Sequence, residues 1–310
     1  MTAAGPEGIL LVDKPAGWTS HDVVAKARRL CRQRRIGHTG TLDPMATGLL
    51  VLCLGRATRL VEYITAHDKR YEGVVVLGTA TDTDDAEGAV IGERPVPPVD
   101  NVTLRALETR FTGQQLQQPP AYSAVKVAGK RAYSVARAGG EVTLAARPIV
   151  VHSLELRDLG SGRLAATVHC GPGTYIRSLA RDIGAALGCG AHLAALRRTA
   201  SGGFSIADAF SLEEVENITA RGRLDDALLP ADEGLVGMPA ALLAAEDIVR
   251  FTTGREVLCA AEAAPCVRVY TEVGSLAGVG EIGPEGTLRP IKVLQSGVGG
   301  LMSESDSAQD

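Results

Sequence analysis

The sequence predicts an α+β protein that carries a small β-rich module at its C-terminal end. Two observations favour the main α+β part: short apolar runs of strand length recur along the chain, and amphipathic stretches with helical spacing lie between them. Beyond residue 239, short apolar segments separated by glycines replace the helical stripes, which is typical of a small all-β unit. The 310 residues, 45% of them apolar, suffice for one large and one small domain.

The N-terminal elements follow from an apolar run and from helical spacing. Residues 9–12 form the first predicted strand, which ends in a turn that contains Lys14. Ser20 is predicted to cap a helix, because apolar residues recur at helical spacing from Val23 to Cys31. Six cations in ten residues fill the rest of this helix and its exit, which suits either phosphate contact or a solvated face: Lys26, Arg28, Arg29, Arg32, Arg34 and Arg35.

The loop at residues 37–44 surrounds one carboxylate, Asp43, with two glycines, two threonines and a histidine. An apolar run at 49–54 follows it. Because Asp43 precedes a proline, it is biased toward extended or turn geometry that presents its side chain outward. A carboxylate at the edge of a buried element suits a nucleophile or a general base. On local features alone, the simpler interpretation is that Asp43 only starts a turn.

The middle of the chain continues the alternation of strands and helices. Tyr71 lies near the head of a predicted strand at 68–78, and the acidic turn after it lacks the ligand spacing of an EF-hand. A helical stripe that begins at Ile176 places Tyr175 and Arg177 at its start. The other predicted elements are a helix at 55–65, a linker at 95–100, a helix at 104–111, a polar hinge at 114–120, and strands at 147–151 and 163–170.

Charge and cysteine content limit the classes of function. The net charge of −4 is the sum of +5 over residues 1–70, +2 over 71–200 and −11 over 201–310. A polyanion can therefore dock on the first part despite the overall sign. We expect a cytoplasmic protein, because no apolar run approaches the ~18 residues of a membrane span and no secretory signal is visible. The six cysteines form no Cys-x-x-Cys pair, so we expect buried free thiols and no metal site.

The segment from Gly37 to Gly48 reads Gly-His-Thr-Gly-Thr-Leu-Asp-Pro-Met-Ala-Thr-Gly without a break. It resembles the catalytic motif of the TruB family of bacterial tRNA pseudouridine synthases. A contiguous match of this length favours a catalytic role for Asp43 over a plain turn. Four more segments resemble family motifs in the family's order, and the resemblance covers roughly residues 8–232: these segments are 13–17, 69–88, 173–177 and 190–199.

The resemblance also implies an architecture. Residues 8–232 are expected to form a pseudouridine synthase core with a central, mostly antiparallel or mixed sheet flanked by helices. An insertion at 119–148 is expected to close over the RNA arm. Residues 236–295 are expected to form a PUA-like RNA-binding module. The Gly, Ser and acidic residues at 296–310 indicate a disordered tail.

The implied activity is the isomerisation of uridine to pseudouridine at position 55 in the T arm of tRNA, after the target base is flipped out. Asp43 is the implied nucleophile, and Arg177 is expected to pair with it and keep it ionised. The reaction needs no cofactor or metal, and we expect a monomer without an obligatory protein partner. The implied substrate-binding residues are His38, Tyr71, Tyr175, Arg177 and Leu196, and the weaker RNA contacts are Lys14, Arg34, Arg35, Lys126 and Lys130.

The sequence leaves several alternatives open. Attack by Asp43 at C6 of uracil, attack at C1′, and proton removal from C2′ to give a glycal all remain. A non-catalytic RNA-binding or RNA-folding protein on the same scaffold would tolerate Asp43→Asn. A nucleoside hydrolase would release free uracil, but the basic surface speaks against it. The RNA-guided archaeal and eukaryotic relative works inside a ribonucleoprotein, and the intact insertion favours a stand-alone enzyme instead.

Overall fold

The protein is described here by a computed structural model, which covers residues 5–122, 126–127, 130–131 and 144–294. Most of its regular structure is β-sheet. The strands, in chain order, are β1 (Gly8–Lys14), β2 (Ile36–His38), β3 (Thr47–Leu54), β4 (Lys69–Leu77), β5 (Thr79–Thr81), β6 (Val90–Glu93), β7 (Gly113–Gln117), β8 (Lys126–Val127), β9 (Lys130–Arg131), β10 (Arg147–Gly160), β11 (Arg163–Cys170), β12 (Ala191–Ser201), β13 (Phe204–Ser205), β14 (Phe210–Ser211), β15 (Ala240–Leu243), β16 (Val257–Leu258), β17 (Ala264–Thr271), β18 (Leu276–Ile282) and β19 (Thr287–Val293).

The helices lie between these strands, and none of those described is long and apolar enough to cross a membrane. The first helix is capped by Thr19, whose side chain accepts from the Asp22 amide while the Asp22 carboxylate accepts from the Thr19 amide. The prediction that Ser20 caps this helix is therefore wrong by one residue. The helices are α1 (Ser20–Leu30), α2 (Val61–Thr65), α3 (Asn101–Phe111), α4 (Ile176–Ala186), α5 (Leu212–Ala220) and α6 (Ala245–Thr252), and a 3-10 helix (Gly55–Leu60) precedes α2.

One ten-stranded sheet forms the centre of the fold, in the order β14-β1-β3-β12-β4-β11-β10-β7, with β2 on β3 and β13 on β12. The pairs β1–β14 and β3–β12 are parallel, and the other pairs of this sheet are antiparallel. The prediction of an α+β protein with a mixed, mostly antiparallel central sheet is confirmed.

Apolar residues cover this sheet in separate clusters. One cluster packs α3 and α4 against β4, β11 and β12, and it includes Leu42 and Ala46 from the loop that carries Asp43. A second packs α1 and α5 against β1 and β3. The Asp43 loop is therefore anchored in the core by two buried residues, Leu42 directly before Asp43 and Ala46 at the end of the loop.

A separate five-stranded sheet, in the order β15-β17-β18-β19-β16, forms the predicted β-rich C-terminal module. Phe251 of α6 is fully buried in the core of this module. The predicted domain limits at 8–232 and 236–295 stay predictions, and the predicted tail at 296–310 lies outside the described residues.

Two further expectations concern loops and thiols. The polar hinge predicted at 114–120 is wrong, because residues 113–117 form edge strand β7, which pairs with β10. The sequence signal misled because burial in this strand does not follow polarity: apolar Leu116 is 73% exposed, while polar Gln117 is buried. All six cysteines are free; four are buried, while Cys259 and Cys266 are only half-buried.

Most of the predicted insertion at 119–148 lies outside the described residues, apart from its two ends and the β8–β9 hairpin.

Candidate active site

The loop between β2 and β3 holds Asp43, and its backbone is fixed on both sides of that residue. Before it, the buried Ser20 hydroxyl donates to the Leu42 carbonyl at 3.1 Å and accepts from the Leu42 amide at 2.9 Å. After it, the Pro44 carbonyl accepts from the Gly17 amide at 2.9 Å and from the Lys14 ammonium at 3.2 Å. Because both neighbours are held, the Asp43 side chain is projected from a preorganised backbone.

Arg198 of β12 holds the outer parts of the same loop. Its Nε donates to the Leu49 carbonyl at 2.7 Å, and its Nη2 donates to the Gly40 carbonyl at 3.0 Å. Gly48 adopts a φ of +99°, and a Cβ there would collide with the Arg198 backbone. Only glycine both adopts this positive φ readily and leaves room for the Arg198 backbone. The glycine thus permits close packing of β3 on β12, rather than the close approach of a ligand.

Arg177 at the start of α4 contacts Asp43 at two points. Its Nε lies 2.9 Å from Asp43 Oδ2, and its Nη2 donates to Oδ1 at 3.1 Å. The Nη2 contact is a hydrogen bond and the Nε contact is an ion pair, so the guanidinium restrains the carboxylate at both oxygens. The structure thus brings together the two residues that the resemblance pairs.

The same guanidinium is anchored by the acidic turn after β5. Its Nη1 lies 3.4 Å from Asp85 Oδ2 and donates to the Thr83 carbonyl at 2.9 Å. Asp85 is almost fully buried, and it accepts from the Thr83 hydroxyl at 2.6 Å. Nη2 also donates to the Tyr122 carbonyl at 3.0 Å. Arg177 is therefore held by acceptors at Nη1 and Nη2, while its buried Nε makes no hydrogen bond within the described residues. Asp85 is a site residue that the sequence did not single out.

The electrostatic environment of Asp43 is mixed. Burial raises the pKa of the Asp43 carboxyl above its ordinary value, and the nearby Asp85 raises it further, while Arg177 and Lys14 lower it. The net direction is upward. The side chain still has 35% of its surface exposed, so a substrate can reach the carboxylate.

Tyr175 immediately precedes α4, and its main chain is held by one glutamine. The Gln117 side chain at the end of β7 accepts from the Tyr175 amide at 2.8 Å and donates to the Tyr175 carbonyl at 3.0 Å. Gln117 is 3% exposed. This two-point contact sets the start of α4, from which both Tyr175 and Arg177 project. The sequence analysis missed Gln117 because it assigned the segment to a hinge.

Tyr71 and Leu196 lie on the neighbouring strands β4 and β12. Both are buried in the cluster that also holds Leu42 and Ala46 from the Asp43 loop. Burial raises the pKa of the Tyr71 phenol, and Asp43 is close enough to raise it further, while Arg198 opposes the shift. The two side chains therefore share one buried apolar cluster with residues of the loop that carries Asp43.

His38 closes β2, five residues before Asp43. Its Nδ1 accepts from the Gly40 amide at 3.3 Å, and its ring meets the His21 ring edge to face at 5.6 Å between centroids. Burial, with His21 and Arg198 nearby, lowers the pKa of His38 to about 4. The imidazole is therefore neutral at neutral pH, with Nδ1 as acceptor and the proton on Nε2.

Lys14 is not available for the RNA contact predicted for it. Its side chain is fully buried, and its ammonium donates to the carbonyls of Pro15, Trp18 and Pro44. Burial lowers the pKa of Lys14 to about 8. All three donors are used, so the prediction of an RNA contact is wrong, and Lys14 instead organises the turn beneath Asp43.

The cations around α1 divide into two groups. Lys26 pairs with Glu216 of α5 at 2.6 Å, and Arg28 donates to the Ile36 carbonyl at 2.9 Å. Arg34 and Arg35 are exposed, and no ion pair of theirs is found within the described residues. Lys126 and Lys130 lie in the β8–β9 hairpin, and their side chains lie outside what the structure describes.

Three family models match consecutive parts of the chain. The first, the TruB family pseudouridylate synthase N-terminal domain, matches residues 28–176, which contain the Asp43 loop. The second, the tRNA pseudouridylate synthase B C-terminal domain, matches residues 177–236. The third, the pseudouridine synthase II TruB C-terminal domain, matches residues 239–294.

Curated relatives and solved structures agree with these matches. The tRNA pseudouridine synthase B of Xylella fastidiosa is 45% identical over 289 residues, or 93% of this chain and 96% of the relative. The enzyme of the same name from Opitutus terrae is 51% identical over 210 residues, or 68% of this chain and 87% of the relative. The Cbf5 fold of a solved Cbf5-Nop10-Gar1 complex is similar, with a TM-score of 0.72 and 24% identity over 93% of this chain and 85% of that one.

Proposed function

This chain belongs to the TruB family of pseudouridine synthases, and we propose that it isomerises uridine 55 in the T arm of tRNA with Asp43 as nucleophile. It is an enzyme, a tRNA pseudouridine synthase. One observation carries the role of Asp43: Arg177 contacts both of its oxygens in a loop whose neighbouring residues are themselves held. Preorganisation of this kind is what a reacting carboxylate requires.

The reaction keeps both halves of the nucleoside. The N1–C1′ bond breaks, the uracil turns, a C5–C1′ bond forms, the C5 proton leaves, and N1 takes up a proton. Electrons balance without an oxidant or reductant. Ionised Asp43 supplies the electron pair by attack at C6, by attack at C1′, or by removing the C2′ proton. In each case Arg177 holds the carboxylate and stabilises its ionised form.

The target base must leave the stack before Asp43 can reach it, which costs a few kcal/mol. Tyr71 is proposed to stack on the flipped uracil, and Leu196 to form the apolar wall beside it. Tyr175 is proposed to assist loss of the C5 proton. Neutral His38 is proposed to occupy the space that the base vacates. Burial of Tyr71 and Leu196 beside the Asp43 loop supports this placement.

The RNA is proposed to contact the exposed cations next to the loop, Arg34 and Arg35, because phosphate groups are attracted to cations without internal partners. Lys126 and Lys130 of the insertion at 119–148 are proposed to close over the RNA arm. In this proposal the catalytic domain spans 8–232, and the module at 236–295 is a PUA-like RNA-binding unit. We propose a cytoplasmic monomer that needs no protein partner.

Tritium release tests this function. A tRNA transcript with uridine tritiated at C5 loses tritium to water only when C5 exchanges its hydrogen for the C1′ bond. The proposal predicts release of one tritium per T-arm target and no free uracil. Free uracil without release would indicate a hydrolase. Binding without release would indicate an RNA-binding protein on the same scaffold.

A further inference from the structure

Three side chains with metal-ligating atoms converge where β4 begins and β11 ends. They lie away from the Asp43 loop in sequence. Asp68 immediately precedes β4, His152 lies in β10, and His169 lies in β11. The Nε2 atoms of His152 and His169 lie 3.1 and 3.8 Å from the same oxygen, Asp68 Oδ2. The three ligand atoms all lie within 4.8 Å of one another.

The strand register explains why the two histidines meet. β10 and β11 are antiparallel, and Val151 is opposite Cys170, but Ser153 rather than His152 is opposite His169. His152 is therefore the extra residue of a β-bulge. The bulge places it next to His169, with 4.7 Å between the ring centroids and 43° between the ring planes. Both rings thus present a nitrogen to the same carboxylate.

Hydrogen bonding accounts for at most one of the two contacts with Asp68. The 3.1 Å separation fits a hydrogen bond between His152 and Asp68, but 3.8 Å is too long for a second one from His169. Around a tetrahedral ion with ~2.0–2.1 Å bonds, two ligand atoms lie about 3.3 Å apart. The two observed separations bracket that value, and the third pair of ligand atoms lies within 4.8 Å, so side-chain rotations would be needed to bring all three atoms to bonding distance of one ion.

We propose that Asp68, His152 and His169 bind a divalent transition-metal ion, with Zn²⁺ as the physiological candidate. Two imidazoles and one carboxylate form a ligand set that suits this class of ion. The side chains are 46%, 38% and 27% exposed respectively, so water can complete the coordination and the ion can enter from solvent. The expectation of no metal site came from the cysteine spacings alone. These three ligands form no sequence motif, because Asp68 lies more than 80 residues before the two histidines.

The site would link three segments of the fold. It joins the start of β4 to β10 and β11, and β11 leads directly through the turn at 171–174 to Tyr175. Asp68 Oδ1 also lies close to that turn, 3.8 Å from where a Gly171 Cβ would be.

Arg70 is opposite His169 in β4 and is exposed. Its cationic charge opposes the ion, so we expect weaker binding than at a four-ligand structural site.

Zinc titration of the full, tag-free chain tests the proposal. After removal of metal with a chelator, Zn²⁺ is added in competition with a chromogenic zinc indicator. We expect one equivalent to bind, and His152→Ala and His169→Ala to weaken binding by about tenfold or more. His192→Ala is the matched control, because His192 contacts the Thr79 carbonyl elsewhere on the sheet. It should bind Zn²⁺ like the parent protein.

Two further readouts keep the test independent of catalysis. Co²⁺ bound at the site should give the visible absorption of a tetrahedral complex in the parent protein and not in His169→Ala. Zn²⁺ should raise the Tm of the parent protein and of His192→Ala, but not that of His169→Ala. No stoichiometric binding by the parent protein, or equal affinity in His169→Ala, would overturn the proposal.

Discussion

Arg177 Nε lies 2.9 Å from Asp43 Oδ2, although the two residues are 134 positions apart in the chain. The contact joins the loop before β3 to the first turn of α4. Asp85 contacts the same guanidinium through Nη1, so one buried cation is shared between two carboxylates. This sharing makes the charge state of Asp43 sensitive to both neighbours.

The acid limb of the pH–rate profile should reflect this environment. In the proposed mechanism Asp43 acts in its ionised form, and its pKa is raised above the ordinary 3.8. Activity should therefore fall as pH decreases through a value above 3.8. Asp85→Asn removes a charge that raises the Asp43 pKa, so the limb should move to lower pH. We would measure kcat/KM for tritium release against pH. An unchanged rate down to pH 4 in the parent enzyme would contradict the account.

Ser20 and Thr19 form a matched pair of adjacent hydroxyl residues. Thr19→Ala removes the helix cap and should lower the free energy of unfolding by about 1 kcal/mol, with kcat unchanged. Ser20→Ala leaves the Leu42 amide and carbonyl without their buried partner, which should cost about 1–3 kcal/mol. It should also lower kcat by about 10- to 100-fold, because the main chain directly before Asp43 is no longer held. Urea unfolding and saturating-tRNA rates measure both effects. Equal kcat values in the two variants would count against the positioning role of Ser20.

Gln117 is predicted to position Tyr175 and Arg177 through the start of α4. Gln117→Ala removes two buried hydrogen bonds to the Tyr175 main chain and should lower both stability and kcat. Gln114→Ala, on the same strand but exposed, is the control and should leave both unchanged. The discriminating readout is kcat at a temperature where both variants are fully folded. A normal kcat in Gln117→Ala would show that β7 has only a structural role.

His38 should remain neutral throughout the physiological pH range. Its pKa is lowered from 6.5 to about 4, so between these values the unfolded chain binds more protons than the folded one. The free energy of unfolding should therefore decrease as pH falls from 6.5 to 4, by at most about 1.4 kcal/mol per pH unit from this residue. His38→Gln should remove that part of the dependence. Urea unfolding of both proteins over this range gives the difference, and an NMR titration midpoint near 6.5 for His38 would refute it.

Much of the fold followed from the sequence because apolar periodicity reports burial directly. The stripe beginning at Ile176 gave α4, and the alternation at 163–170 gave β11. The cap of α1 was misplaced by one residue because two adjacent hydroxyl residues, Thr19 and Ser20, are equally suitable in sequence. The β7 strand was missed because its burial does not follow polarity: apolar Leu116 is exposed, and polar Gln117 is buried against the Tyr175 main chain.

The residues of the site could be predicted only in part from the sequence, for a different reason. The contiguous motif singled out Asp43, and the family resemblance of the segment at 173–177 implied that Arg177 pairs with it. The supporting residues Gln117 and Arg198 act through main-chain contacts whose partners are set by tertiary folding, and no local pattern marks them. Lys14 was misjudged because a lysine in a turn resembles a solvated one until the carbonyls that surround it are known.

The most direct test of the account compares the parent enzyme with Asp43→Asn on the same tRNA transcript by carbodiimide mapping of pseudouridine. Asparagine keeps the shape of the side chain but cannot ionise, so folding and tRNA binding should be retained. The account predicts a modification-dependent stop at position 55 with the parent enzyme and none with Asp43→Asn. A stop of equal strength with both proteins would contradict the central claim that the Asp43 carboxylate performs the reaction.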